Sequence, residues 1–263
     1  MVAEETFKFG QVLFVGAGPG DPELITVKGL KALQQADIVV YAGSLVNPAL
    51  LEECPENCQI HDSAPLNLDQ VLEILVAGGR AGKRVVRLHT GDPALYGAIQ
   101  EQMEALDVAD IDYAVIPGVT ATFGAAASLK QELTLPGVSQ TLTLTRLAGR
   151  TPVPEKEQLQ RIAANGGTIA LYLSVGMMDQ LVEELLAGKE FTLQTPVAVV
   201  SRASWPDERT VEGTLADISV KVKESGITRQ ALILVGEVLA ARKKGVPEKS
   251  KLYDPEFSHG YRR

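Results

Sequence analysis

Three short loops carry the residue types that could do chemistry, and each stands where an apolar run stops. The first is Gly16-Ala17-Gly18-Pro19-Gly20-Asp21-Pro22, after Val12-Leu13-Phe14-Val15. The second is Thr90-Gly91-Asp92-Pro93-Ala94-Leu95-Tyr96-Gly97, and the third is Pro117-Gly118-Val119-Thr120-Ala121-Thr122. An apolar strand, a glycine-rich loop and then a helical pattern mark a small-molecule site at the carboxyl end of a parallel strand. The first loop approaches a dinucleotide fingerprint and departs from it. Asp21 stands where the third glycine belongs, and an acid repels a pyrophosphate arriving at a helix N-terminus. Pro19 also lacks the N–H that such a loop would use. A neutral or cationic ligand suits this loop better than a phosphate, which disfavours a nicotinamide oxidoreductase.

The remaining catalytic inventory is thin. The chain has no Gly-x-Ser-x-Gly elbow, no Walker loop and no His-Glu-x-x-His. Its histidines are His61, His89 and His259. His89 ends a strand beside the second loop and reads as a satisfied core or strand-end histidine, with a ligand-facing role as the alternative. No residue is assigned as a base. A site of this kind works by positioning, which can contribute ~7–11 kcal/mol on its own. Arginines are the other clue. Arg146 and Arg150 flank Leu147-Ala148-Gly149, Arg202 follows an apolar run, and Arg84 and Arg87 read as sharing one face of a strand. Such planar forks suit carboxylates. Cys54, Cys58 and His61 have Cys-x-x-x-Cys-x-x-His spacing, but no further cysteine completes a zinc or iron–sulfur ligand set. Two free thiols in a reducing compartment, and no metal, is the expectation.

The elements that must position these loops alternate strand with helix. Strands are expected over 12–15, 37–41, 59–61, 84–89 and 111–116. A helix over 26–36 is capped by Thr26, with Leu24, Val27, Leu30 and Leu33 along one side. Asn47 and Pro48 open a short helix. A further helix spans 67–77, striped by Leu68, Val71, Leu72 and Leu75 and closed by Gly78-Gly79. This alternation implies a parallel α/β sheet with the three loops on one edge. After Leu133 the pattern resets. Strands are expected over 141–145 (alternating, one wet face), 168–174, 196–200 and 231–235, with helices over 155–164, 178–187 and 217–224. The expected organisation is a parallel α/β domain over 1–133, a mixed-sheet α/β domain over 134–245 and a tail over 246–263.

The bulk numbers fit two soluble globular domains. The chain has 263 residues, 45% hydrophobic and 22% charged, with a net charge of −8 and a pI of about 5.1. That balance argues against nucleic acid as a partner. No apolar stretch approaches the ~20 residues that span a bilayer, and the acidic start, Met-Val-Ala-Glu-Glu-Thr, lacks a signal-peptide core. A cytoplasmic setting is expected.

Taken together, several stretches carry a resemblance. Val15-Gly16-Ala17-Gly18-Pro19-Gly20-Asp21-Pro22-Glu23-Leu24-Ile25-Thr26, Ala36-Asp37-Ile38-Val39-Val40-Tyr41, Gly91-Asp92-Pro93-Ala94-Leu95-Tyr96-Gly97, Pro117-Gly118-Val119-Thr120-Ala121, Leu171-Tyr172-Leu173-Ser174 and Val200-Ser201-Arg202-Ala203-Ser204 occur in this order. The chain resembles the tetrapyrrole methyltransferases over nearly its whole length. Tyr41-Ala42-Gly43-Ser44-Leu45-Val46 and Lys251-Leu252-Tyr253-Asp254-Pro255-Glu256-Phe257 narrow the match to the branch that methylates C11 of a corrin precursor. The resemblance implies two α/β domains with S-adenosylmethionine (SAM) in the cleft between them, a homodimer, a tetrapyrrole substrate and no membrane. It implies that Pro19 lines the cofactor site and that Gly91, Asp92, Leu95, Thr120 and Ala121 meet the methionine part. Tyr172, Leu173, Ala203 and Ala231 would hold the adenosine, and Arg146, Arg150 and Arg202 the substrate carboxylates. SAM is a sulfonium cation without phosphate, so Asp21, Pro19 and Asp92 fit it. The uroporphyrinogen members carry a Tyr-Asp pair after the second strand and a lysine after the third. Tyr41-Ala42-Gly43-Ser44 and Ile60-His61-Asp62-Ser63 stand there instead, against that reaction. Methylation at C20 or C17, a diphthine-type protein substrate and a SAM or tetrapyrrole sensor remain alternatives.

Overall fold

The computed structural model describes residues 7–241 together with 245, 248, 250 and 258. The tail motif over 251–257 and His259 lie outside the described residues. The chain divides into two compact units. One is Met1–Gly124 with Ser204–Pro206, and the other is Ala125–Ala203 with Asp207–Arg263.

Among the described residues the first unit holds five strands: β1 (Val12–Gly16), β2 (Ile38–Tyr41), β3 (Gln59–Asp62), β4 (Val85–His89) and β5 (Tyr113–Ile116). All pair in parallel, in the order β3-β2-β4-β1-β5. The central strands β1 and β4 are buried along their whole length, which is why β1 reads as a solid apolar run and β4 as one interrupted only by Arg87 and His89. Successive side chains point to opposite faces. Leu13, Val15, Val39, Val86 and Leu88 pack with Ala32 and Leu33 of α1 (Val27–Leu33). Val12, Phe14, Ile38, Val40 and Val85 pack with Val71 and Leu75 of α2 (Leu68–Arg80) and Leu106 of α3 (Gln100–Val108). Helices therefore cover both faces. From β1 the chain moves to β2 on one side, and from β4 it moves to β5 on the other. Adjacent β1 and β4 thus form the topological switch point, where such sheets bind ligands.

The second unit has a mixed sheet: β6 (Leu142–Arg146), β7 (Thr168–Tyr172), β8 (Pro196–Ser201), β9 (Arg209–Thr214) and β10 (Ala231–Val235), ordered β6-β7-β10-β8-β9. Only the β6–β7 pair is parallel. One face, with Ile169, Leu171, Val197, Val199 and Ile233, packs on α5 (Leu159–Ala163), α6 (Met178–Ala187) and α7 (Ile218–Ser225) through Leu159, Leu181, Leu185, Ile218 and Val222. On the other face, Ala170, Val200, Leu232 and Leu234 meet Ala125 and Ala126 of α4 (Ala121–Leu129).

Several sequence expectations are corrected. Gly78 and Gly79 do not end α2; the helix runs through them to Arg80, and both are buried. A Cβ on Gly78 would lie 2.7 Å from a Val85 methyl, so these glycines let the helix lie close on the sheet. Thr26 caps α1 through the Gly29 N–H (3.1 Å), but the helix stops at Leu33 and Val27 faces solvent; Gly29, Ala32 and Leu33 are its inner face. The 155–164 helix splits into a 3-10 turn over Glu155–Glu157 and α5, because Gln158 is extended. In β6 it is Leu144 that is exposed and Thr145 that is buried. Arg84 and Arg87, three apart on a strand of period two, point to opposite faces. No helix among the described residues is long and apolar enough to cross a membrane.

Candidate functional site

Parallel pairing brings all three loops of the first unit to the carboxyl edge of β4, β1 and β5, and they close on one another. Gly91 donates its N–H to the Gly18 carbonyl (2.8 Å) and accepts from the Gly18 N–H (3.3 Å). Asp92 joins two loops: Oδ1 accepts the Ala94 N–H and Oδ2 the Gly118 N–H, both at 2.8 Å. Gly16 and Gly118 are glycines for space. A Cβ on Gly16 would lie 2.6 Å from Gly118 Cα, and one on Gly118 would lie 2.1 Å from the Gly91 carbonyl oxygen. Gly18 and Gly91 are glycines for conformation, with φ of 78° and 62°.

Pro19 is buried in this cluster, Gly91 is buried, and Asp92, Leu95, Thr120 and Ala121 are half-buried. The six first-unit candidates therefore share one edge. Thr120 stands at the start of α4, and its Oγ1 is buried without a hydrogen-bond partner. The acids have a second use that spacing does not reveal. Asp21 Oδ1 accepts the Glu23 N–H at 2.9 Å, as Asp92 accepts that of Ala94, so both fix turns of the backbone.

His89 lies at the same edge. It is buried, with its ring 6.2 Å from that of Phe14 and its Nε2 without a partner. It is a core histidine, as one sequence reading had it, but not a satisfied one. Burial first, and then the Arg87 charge, push its pKa down to about 3, so the imidazole is neutral at physiological pH. Arg87 is itself buried and engages neutral partners: Nη1 donates to the Val40 carbonyl (3.1 Å) and Nε to Gln102 Oε1 (3.2 Å). Gln102 passes the contact on, its Nε2 donating to the Ala98 carbonyl at 2.9 Å. This pins the far end of the second loop, where Tyr96 and Ala98 hold φ of 58° and 49°. Arg84 is engaged elsewhere, with Nε 3.2 Å from Asp37 Oδ2, and its guanidinium holds the Asp37 carboxyl below the usual range.

In the second unit the carboxyl ends of β6, β7 and β8 and the start of β10 share one edge, by the parallel and antiparallel registers. Arg146 pairs with Tyr172, and Ala231 with Ser201, so Arg146, Tyr172, Leu173, Arg202, Ala203 and Ala231 all gather there. Leu173 is 72% exposed with φ 54°, and Arg202 and Gln230 hold φ of 52° each. Left-handed backbone at bulky residues costs of order 1–3 kcal/mol and collects at ligand sites. Two of the three arginines have partners within their unit. Arg146 bonds the Thr151 and Pro152 carbonyls (3.1 and 2.7 Å), and Arg202 Nε meets Asp207 at 2.7 Å. Arg150 is exposed. Cys54 and Cys58 are free thiols packed at the edge of the first core, and their mutual hydrogen bond lowers the pKa of Cys54 and raises that of Cys58.

Sequence reasoning missed Asn47, Gln102, Ser204 and Trp205 as supports of these loops. Asn47 was visible only as a helix cap. Gln102 had no signal, because a polar residue on a helix is read as solvated.

Comparison with known proteins adds to this geometry. The family described as Tetrapyrrole (Corrin/Porphyrin) Methylases matches residues 11–219. A cobalt-precorrin-4 C(11)-methyltransferase of Methanocaldococcus jannaschii is 54% identical over 253 residues, covering 96% of this chain and 96% of that protein. A solved cobalt precorrin-4 methyltransferase superposes with a TM-score of 0.85 at 46% identity, over 88% of this chain and 96% of the other. The uroporphyrin-III C-methyltransferase of Thermus thermophilus, solved with S-adenosylhomocysteine, gives a TM-score of 0.72 at 29% identity over 87% and 93% of the two chains.

Proposed function

Because this chain belongs to the tetrapyrrole (corrin/porphyrin) methylases, we propose that it transfers a methyl group from SAM to C11 of precorrin-4 or cobalt-precorrin-4, a step of cobalamin synthesis. The observation that carries the reading is the match to the C11 enzymes over nearly the full length of both chains. The site residues agree with it. Thr120 Oγ1, buried and without a partner, needs a polar ligand group such as the amino-acid end of SAM.

When bound, SAM supplies a methyl group on a sulfonium centre. Pro19, Gly91, Asp92, Leu95, Thr120 and Ala121 would hold its methionine part, and Tyr172, Leu173, Ala203 and Ala231 are assigned the adenosine on the family resemblance. The chain's own contribution is positioning. Asp21 and Asp92 spend their carboxylate oxygens on backbone N–H groups of the loops, and His89, with a pKa of about 3, is held neutral and is not set to take a proton near pH 7. The pyrrole nitrogens of the substrate make its ring carbon nucleophilic, and orientation accounts for much of the acceleration. Arg150 is an exposed residue that could meet a substrate carboxylate, whereas Arg146 and Arg202 would first have to exchange contacts. A homodimer in the cytoplasm completes the proposal.

The test is incubation of purified protein with SAM and freshly generated precorrin-4, with and without cobalt. One added methyl by mass spectrometry, placed on C11 by NMR with labelled donor, is the expected result. A methyl on C17 or C20 would overturn the C11 assignment and keep the family chemistry. Binding of SAM without transfer to any of these substrates would favour a sensor.

A further inference from the structure

The chain has a single tryptophan, Trp205. It lies on Ser204–Pro206, a three-residue stretch that belongs to the first unit although its flanks belong to the second. Its indole N–H donates to the Pro19 carbonyl at 3.0 Å. Its ring lies against Gly20 so closely that a Cβ there would be 2.0 Å from the indole Cδ1. Two more side chains finish the clasp. Ser204, itself left-handed with φ 65°, accepts the Asp21 N–H on its Oγ at 2.9 Å. Asn47 donates Nδ2–H to the Gly20 carbonyl at 2.8 Å.

These contacts decide what the glycine loop can offer a ligand. The carbonyls of Pro19 and Gly20 and the N–H of Asp21 are each taken by a side chain from outside the loop. Pro19 has no N–H of its own. The Ala17 and Gly18 N–H groups are bonded to the His89 and Gly91 carbonyls as well, so the loop keeps few backbone donors for a ligand, and its shape is set by what grips it from behind. Gly20 is a glycine because the indole occupies the space of a side chain, and not because its φ requires one; it is absent from the positive-φ glycines.

We propose that Trp205 is a positioning residue for the methyl-donor site, gripping Pro19 and Gly20 so that the first loop keeps the form that SAM binds. The inference rests on the function proposed above. As the sole tryptophan, it is also a reporter of that loop.

The test uses the full chain with Trp205→Phe, Trp205→Ala, Gly20→Ala and the Gly20→Ala/Trp205→Ala pair. Phe keeps an apolar plate and loses the N–H. S-adenosylhomocysteine binding is measured by calorimetry, and kcat and SAM KM are measured separately; thermal melts verify folding. Trp205→Ala is expected to raise the SAM KM about tenfold with kcat changed less than about twofold, and Trp205→Phe to recover part of the loss. Gly20→Ala alone should be as damaging as Trp205→Ala, and the pair no worse than Trp205→Ala, because removing the indole removes the clash. Wild-type fluorescence should shift as S-adenosylhomocysteine is added. Folded Trp205 variants with wild-type affinity and SAM KM overturn the inference alone. A wild-type protein that binds no S-adenosylhomocysteine overturns the proposed function and the inference with it.

Discussion

At the scale of single residues, the acids of the loops do more than their charge suggests. Asp92 bonds within its own loop and to a second one, through Ala94 and Gly118. Hydrogen bonds to a charged acceptor contribute about 1.5–3 kcal/mol each. Asp92→Asn keeps one acceptor and places an amide NH₂ against a backbone N–H. SAM affinity should fall about tenfold, the size of one such bond; calorimetry with S-adenosylhomocysteine measures it, and an unchanged affinity would mean the loops hold without this bridge. Aspartate in this place was legible as compatible with a cation. Its bond to Gly118 was not, because residues 26 apart in sequence meet only once the sheet order is known. The arginines show another limit of spacing. Their chemistry suggests carboxylate binding for Arg146 and Arg202, and local geometry adds a protein partner for each that the sequence does not reveal. Arg84 and Arg87 were misplaced by counting three as an even step on a strand.

At the scale of elements, strands buried on both faces were the clearest. β1, β2 and β4 are built mainly of Val, Ile, Leu and Phe, with Arg87 and His89 the polar members of β4, and no helix–strand ambiguity survives the short spacing between glycine-rich loops. β9 went unread because it is an edge strand, Arg-Thr-Val-Glu-Gly-Thr, whose Val211 alone reaches the core. The helix expected after the second loop, α3, had no legible bounds because its buried positions are Gln102 and Leu106. The α2 glycines were read as a stop because Gly-Gly usually ends a helix; only the distance from helix to sheet reveals the other reason. Two terms oppose each other at Gly78→Ala. Helix propensity gains about 1 kcal/mol, and overpacking costs about 1–3 kcal/mol. The new Cβ would meet Val85 at 2.7 Å and Ile38 at 3.0 Å, both wedged in the sheet, so the second term should win. The melting temperature should fall by about 3 °C. Gly82→Ala is the contrast: it has open space but φ +70°, so its loss comes from backbone alone. A melting point that rises for Gly78→Ala would show that α2 can lift from the sheet at little cost.

At the scale of the whole molecule, strand pattern and spatial division mark different places in the chain. A change of strand pattern after Leu133 was visible, whereas the unit boundary at Gly124 and Ala125 falls inside α4, and Ser204–Pro206 returns to the first unit. Neither leaves a mark in composition. The net charge of −8 is equally silent about acid stability, which depends on how folding shifts individual groups. His89 has an ordinary pKa of 6.5 and a folded pKa of about 3. The unfolded chain therefore binds a proton in that window that the folded chain refuses. Stability is full above pH 6.5 and falls as the pH drops toward 3, by about 1.4 kcal/mol per unit. Asp37 works in the same direction lower down: Arg84 depresses its carboxyl, so its contribution is present above pH 3.8 and lost as the pH falls through the folded value. Between pH 7 and pH 5 His89 alone should cost about 2 kcal/mol. His89→Gln removes the titration while keeping a polar side chain of similar reach. Urea titrations at both pH values should show the wild type losing about 2 kcal/mol more than the variant over this interval, whatever the variant loses at pH 7. Equal losses would mean that the buried imidazole takes up its proton without unfolding the sheet edge, and that the orphaned Nε2 finds a partner once charged.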